Sequence, residues 1–118
     1  MDIAIDFDGC ISKYEGYKGK KIFGEVIPGT KETFERLRKQ GHTIIINTNR
    51  IEILEVKEYL EYHGIPFDYI NHNPKNVTWW LNPTKVRADI YIDDRGLKFE
   101  GDWDKTLVEV DNFKEWWR

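Results

Sequence analysis

Asp2-Ile3-Ala4-Ile5-Asp6-Phe7-Asp8-Gly9-Cys10, residues 2–10, is the stretch whose reading decides the fold. Ile3, Ala4 and Ile5 make a short apolar run of the kind that lies buried in a sheet. Alternation along a strand over residues 2–7 places Asp6 and Asp8 on one face and Ile3, Ile5 and Phe7 on the other. Gly9 then permits a sharp change of direction. The pattern returns late in the chain, where Ile90-Tyr91-Ile92 runs into Asp93-Asp94. A carboxylate at the end of a buried strand is half-desolvated and costly unless something positive compensates it. Four of them gathered at one sheet edge repel each other. A hard divalent cation with oxygen ligands relieves that repulsion, and Mg²⁺ suits a site that also receives a phosphate.

Between these two runs the chain alternates strand and helix signals. Residues 11–27 carry Gly16, Gly19 and Gly24 among Lys and Tyr, the composition of a small irregular flap or hairpin, centred on 11–24. Pro28-Gly29-Thr30 opens a helix with Thr30 as its expected cap, Phe34 and Leu37 on one face, and Gly41 as its stop. Residues 43–47 read as a second buried strand ending at Thr48. Residues 50–62 read as a second helix with a stripe of Ile53, Val56 and Leu60, ended by Gly64. A short strand is expected near 67–70. Breakers at Asn71, Asn73-Pro74 and Asn82-Pro83 predict mainly loop over 71–84. Strands are expected at 88–92 and 106–110, and Asp111 is expected to cap a final short helix carrying Phe113, Trp116 and Trp117.

Such alternation predicts a single α/β domain over residues 1–118, Rossmann-like, with a mostly parallel sheet flanked by helices. Ligands of such sheets bind beyond the carboxyl ends of the strands. Asp6 and Asp8, Thr48, and Asp93 and Asp94 all fall at that edge. If the first strand and the strand at 88–92 are neighbours, the two acidic pairs lie one strand spacing apart, ~5 Å, within reach of a shared cation.

Composition narrows the function classes. The 118 residues are 40% apolar and 33% charged, a globular balance with enough length for a core. A net charge of −3 gives no broad basic field, so nucleic acid is an unlikely partner. The one cysteine, Cys10, excludes an internal disulfide. No apolar stretch approaches the ~20 residues of a membrane helix, and no basic leader precedes the first strand. The cytoplasm is the simplest expectation. Five Trp among these residues make a self-association patch, hence a homo-oligomer, plausible.

Taken together and in order, Asp6-Phe7-Asp8-Gly9, Thr48-Asn49-Arg50, Lys85 and Asp93-Asp94-Arg95 resemble the haloacid dehalogenase superfamily, specifically its phosphatases. That family carries DxDG after strand one, Ser or Thr after strand two, a Lys further on and an acidic pair after strand four. The resemblance implies Asp6 as nucleophile forming an aspartyl-phosphate. It implies Asp8 as the acid that protonates the leaving oxygen and later the base that deprotonates water. Thr48 would donate to a phosphoryl oxygen, with Asn49 and Arg50 offering backbone N–H groups at a helix start. Lys85, or alternatively Lys75, would neutralise phosphoryl charge and tether Asp6. Mg²⁺ would be held by Asp6, the Asp8 backbone carbonyl and Asp93, with Asp94 binding directly or through water. The intervals from Asp8 to Thr48 and from Thr48 to Lys85 are filled by the elements above, which resembles a capless member. The substrate would be a phosphorylated small molecule or macromolecule. The alternatives are a non-catalytic phosphate- or metal-binding regulatory domain on this fold, or a phosphotransferase.

Other residues read more plainly. Lys18, Lys20 and Lys21 suit a solvated hairpin tip better than a substrate funnel. Tyr14 and Tyr17 could stack on a substrate. The Arg50 side chain either touches substrate or projects from a helix start. Cys10 packs as a small apolar group, because nearby carboxylates oppose a thiolate. Trp79 and Trp80 read as packing under a loop, or as an interface or stacking platform. Trp116 and Trp117 favour core or dimer burial over catalysis. Asp102 and Asp104 read as surface charge.

Overall fold

A parallel β-sheet forms because three apolar runs and one edge pair meet in register. The computed structural model describes residues 1–19, 22–76 and 85–118. In chain order it contains β1 (Asp2–Asp6), α1 (Thr30–Lys39), β2 (Thr43–Asn47), α2 (Ile53–Tyr62), β3 (Tyr69–Ile70), β4 (Ile90–Ile92) and α3 (Trp103–Asp111). The sheet order is β3-β2-β1-β4. All three pairings are parallel. The expected α/β, Rossmann-like class is the one observed.

Register explains the core. Ile3 lies opposite Ile44 and Ile5 opposite Ile46. These side chains share one face with Phe7, against which Phe34 of α1 and Val56 and Leu60 of α2 pack. Ile44, Ile46, Val56, Leu60 and Phe7 are fully buried, each contributing roughly 1.5–3 kcal/mol of transfer free energy. Strand β1 is central and covered on both faces, and Ala4 and Ile45 on the opposite side are buried as well.

Both long helices end as the glycines predict. After α1, the Gly41 N–H bonds to the Arg38 carbonyl and the His42 N–H to the Leu37 carbonyl, with Gly41 at φ 88°. After α2, Gly64 and Ile65 repeat the pattern onto Glu61 and Leu60. This Schellman closure needs a left-handed residue, which glycine adopts without a Cβ clash.

Several expectations are corrected. Thr30 is the first helical residue rather than the cap. Gly29 holds the cap position, and the Thr30 hydroxyl donates to the Ile27 carbonyl at 2.7 Å. The second helix starts at Ile53, not at 50, because residues 48–52 form a loop stitched by an ion-pair network. The third strand is only Tyr69–Ile70. Residues 106–110 belong to α3 rather than to a strand. Asp102 caps that helix by accepting from the Lys105 N–H at 3.2 Å, so it is more than surface charge. Asp111 ends α3 and caps nothing, and the residues beyond it are not helical. The readings placed on Lys20, Lys21, Trp79, Trp80 and Asn82-Pro83 lie outside the described residues. No helix among the described residues is long and apolar enough to cross a membrane.

The candidate acidic site at the sheet edge

The β1–β4 register pairs Ile5 with Ile92 and so brings Asp6 level with Asp93. On the other side Asp6 lies opposite Asn47, one residue before Thr48. Asp6, Asp8, Thr48, Asn49, Asp93 and Asp94 therefore line one cavity of about 420 Å³, together with Tyr14 and Arg95. The topology gathers the expected strand-end residues at the carboxyl edge of the sheet.

Asp94, rather than Asp93, comes nearest Asp6. One ligand atom each from Asp6, Cys10 and Asp94 lie within 4.8 Å of one another. Asp93 is exposed and folds back in a local turn, where its Oδ1 accepts from the Arg95 N–H at 2.8 Å. The Asp6 carboxyl is pushed up to about 8, first by burial, then by its hydrogen bond to Asp94 and the charges of Asp93 and Asp94. For Asp94, burial pulls upward, but hydrogen bonds from Trp117 and Asp6 outweigh it and hold the carboxyl below its usual range. The shifts run in opposite directions, so the two carboxyls are a coupled pair rather than independent groups.

A hard cation fits this donor set. Asp94 Oδ1 is buried with no hydrogen-bond donor among the described residues, and such an atom is costly unless a proton or a cation faces it. Burial and the surrounding carboxylates push the Cys10 thiol up to about 12. It stays a neutral, soft group that Mg²⁺ does not select. The oxygens of Asp6 and Asp94, with Asp8 and Asp93 beside them, would hold the ion.

Gly9 makes this approach possible. Its φ is 89°, and a Cβ there would sit 2.6 Å from Asp94 Cγ. Gly9→Ala is expected to destabilise the fold by about 1–3 kcal/mol from backbone strain and to displace Asp94. A melting temperature that no longer rises with Mg²⁺ is the readout. An unchanged Mg²⁺ response would show that the close approach is dispensable.

Thr48 is held from both sides. Its N–H donates to Asn71 Oδ1 at 2.8 Å and its carbonyl accepts from Asn71 Nδ2 at 2.9 Å. Asn71 does this from a left-handed conformation, φ 53°, which Asn tolerates. The Thr48 hydroxyl oxygen accepts from the Arg50 N–H at 3.1 Å, leaving its proton to donate. That Arg50 N–H is thus committed to the loop and does not open a helix toward an anion, contrary to expectation. Asn49 is exposed at the cavity wall.

The Arg50 side chain turns inward. It does not project from a helix start: it is buried, with Nε 2.7 Å and Nη2 3.0 Å from the two Asp8 oxygens and Nη1 2.8 Å from Glu52. Burial lowers its pKa, but the bonds to Asp8 and Glu52 more than restore it, so the guanidinium stays charged. Its plane lies over the Phe23 and Tyr17 rings, at 4.7 and 5.2 Å, which fastens the flap to the site. The base of the flap is pinned by Gly24 N–H donating to Ser12 Oγ and by Tyr59 O–H donating to the Gly24 carbonyl.

Lys85 does not line the acidic cavity. It lines a neighbouring one of about 620 Å³ that shares Asn49 and Asp93 with it, and its ammonium lies 5.0 Å from the Tyr91 ring centre. Lys75, the alternative, lies away from this edge. It pairs with Asp2 at 3.1 Å, at the opposite end of β1, where Arg87 and Asn73 also hold the buried Asp2 carboxylate.

The sequence reading missed the C-terminal tryptophans. Trp117 Nε1 donates to Asp94 Oδ2 and Trp116 Nε1 to the Gly9 carbonyl, each at 2.8 Å. Trp116 is exposed and Trp117 half-buried, so neither is a core residue. No local pattern announces contacts that span 107 and 23 positions.

Fold and site together define a Rossmann-like α/β protein with a carboxylate cluster at the carboxyl edge of its parallel sheet. The chain is similar to a solved structure described as a conserved protein of Bacteroides thetaiotaomicron, with 28% identity over 95% of this chain and 90% of that one and a TM-score of 0.68. No protein-family model matches the chain, and no curated protein matches it.

Proposed function

We propose that this chain is a Mg²⁺-dependent phosphomonoesterase of the haloacid dehalogenase type that works through an aspartyl-phosphate on Asp6. The observation that carries the reading is the convergence of Asp6, Asp8, Thr48, Asp93 and Asp94 on one cavity, together with the buried Asp94 Oδ1 that has no donor among the described residues. When bound, Mg²⁺ supplies positive charge that lets the carboxylates ionise together and offsets charge on the phosphoryl group. An Asp6 oxygen attacks phosphorus, and the ester P–O bond breaks with its electron pair leaving on the alcohol oxygen. Asp8 gives that oxygen a proton. Water then attacks the same phosphorus, Asp8 takes its proton, and the aspartyl O–P bond breaks to release inorganic phosphate and restore Asp6. Thr48 donates to a phosphoryl oxygen, and Lys85 adds positive charge from the adjoining cavity.

One observation favours a second reading. Both Asp8 oxygens are held by Arg50, so Asp8 must turn from that fork to reach the leaving oxygen of a substrate. If it never does, the site binds phosphate or metal, or accepts a phosphoryl group, without turnover. Phosphate release from an aryl phosphate in Mg²⁺ and in EDTA separates the two. Metal-dependent multiple turnover supports the hydrolase. A stable aspartyl-phosphate from a small phosphodonor, without turnover, supports the binding domain.

A further inference from the structure

The tail that follows α3 crosses the outside of both acidic loops. Trp116 Nε1 bonds the Gly9 carbonyl on the loop after β1, and Trp117 Nε1 bonds Asp94 Oδ2 on the loop after β4. Glu115, between them and the helix, is buried and pairs with Arg95 at 3.5 Å and Arg118 at 3.4 Å. The guanidinium groups of Arg95 and Arg118 lie 5.8 and 5.5 Å from the Trp117 ring centre, and Tyr14 of the flap meets that ring edge-on at 5.9 Å.

We propose that Trp117 is a positioning residue for Asp94, its indole N–H fixing Oδ2 so that the buried Oδ1 is presented to the cation. This rests on the metal-site reading given above. The chemistry favours an indole for the task. A carboxylate in a crowded acidic loop needs a donor to hold its rotamer, and a lysine or arginine there would compete with the ion for charge. The indole donates one hydrogen bond and carries no charge. It satisfies one oxygen and leaves the other to the metal, as the outer partners of metal ligands generally do. Trp116 ties the Gly9 turn to the same tail, so the two acidic loops are held at a fixed separation by adjacent residues.

The test is Mn²⁺ affinity by electron paramagnetic resonance for wild type, Trp117→Phe and Trp103→Phe, with the Trp117 indole N–H followed by NMR in wild type and Asp94→Asn. Phe keeps an aromatic ring at this position and removes the donor. Trp103 lies exposed on α3 against Phe99, away from the site. The expected result is Mn²⁺ binding weakened about 10-fold or more in Trp117→Phe, with wild-type affinity in Trp103→Phe and a shifted indole resonance in Asp94→Asn. Equal affinity of wild type and Trp117→Phe would overturn the positioning role while leaving the metal site standing. A wild-type protein that binds no Mn²⁺ would overturn the metal reading and the role built on it.

Discussion

Asp6→Asn is expected to lower phosphate release by on the order of 10⁴-fold or more, the scale on which covalent nucleophiles are lost, while making the metal-free protein more stable at alkaline pH. The two effects share one cause. In the folded protein the Asp6 carboxyl is raised from 3.8 to about 8 by burial and by the neighbouring carboxylates. Between those values the folded state holds a proton that the unfolded chain has already lost. Stability contributed by this group is therefore greatest at low pH, falls as pH rises through the window, and is fully lost above about 8. Asparagine has no such slope. Urea unfolding in EDTA at two pH values, about 5 and about 9, should show wild type losing stability relative to Asp6→Asn at the higher value. Saturating Mg²⁺ removes the repulsion, adding ~2.7 kcal/mol at 100 times its dissociation constant to wild type and far less to the variant. A variant that keeps wild-type turnover in a clean preparation sinks the nucleophile role, and parallel pH curves sink the crowded-carboxylate account.

Much of this arrangement is legible from local patterns, and the reasons are specific. Ile3-Ala4-Ile5 and Ile44-Ile45-Ile46 are β-branched-rich runs that suit a doubly covered strand, and each sits directly before a polar strand end. Gly41 and Gly64 mark helix ends because the Schellman turn needs their φ. The reading of 106–110 as a strand fails because Leu107-Val108-Glu109-Val110 is a short apolar run that suits either element. The decision lies a turn earlier, in the side chain of Asp102 on the Lys105 N–H. The site is legible to the extent that strand ends define it. Which of Asp93 and Asp94 turns inward is settled by Gly9, whose missing Cβ leaves room for Asp94. The contacts of Trp116 and Trp117 depend on where the tail crosses the sheet edge, which no sequence period encodes. Arg50 belongs to the same class: its partners Asp8 and Glu52 come from two different loops and meet only once β1 and β2 are paired.

Arg50→Met is expected to destabilise the fold by about 3–5 kcal/mol, the cost of breaking a buried ion pair by removing one partner. The side chains involved are well covered: Arg50 is 6% exposed, Glu52 3% and Asp8 19%. Methionine fills much of the volume and supplies no charge, so Asp8 and Glu52 both lose the guanidinium that bridges them. The Phe23 and Tyr17 rings also lose the guanidinium they pack on, which loosens the flap. Arg50→Lys keeps the charge but cannot bond both Asp8 oxygens and Glu52 together, since an ammonium lacks the planar fork. It should recover only part of the loss. Turnover then reports on Asp8. The fork that anchors the flap also restrains the proposed acid, so a lysine that releases one Asp8 oxygen should raise the rate on alkyl phosphates, which need a proton on the leaving oxygen, relative to aryl phosphates, which do not. Urea midpoints for the three proteins and the alkyl-to-aryl rate ratio are the measurements. A midpoint for Arg50→Met matching wild type would show that the network does not anchor the loop. An unchanged ratio in Arg50→Lys would show that Asp8 already leaves the fork freely when substrate binds.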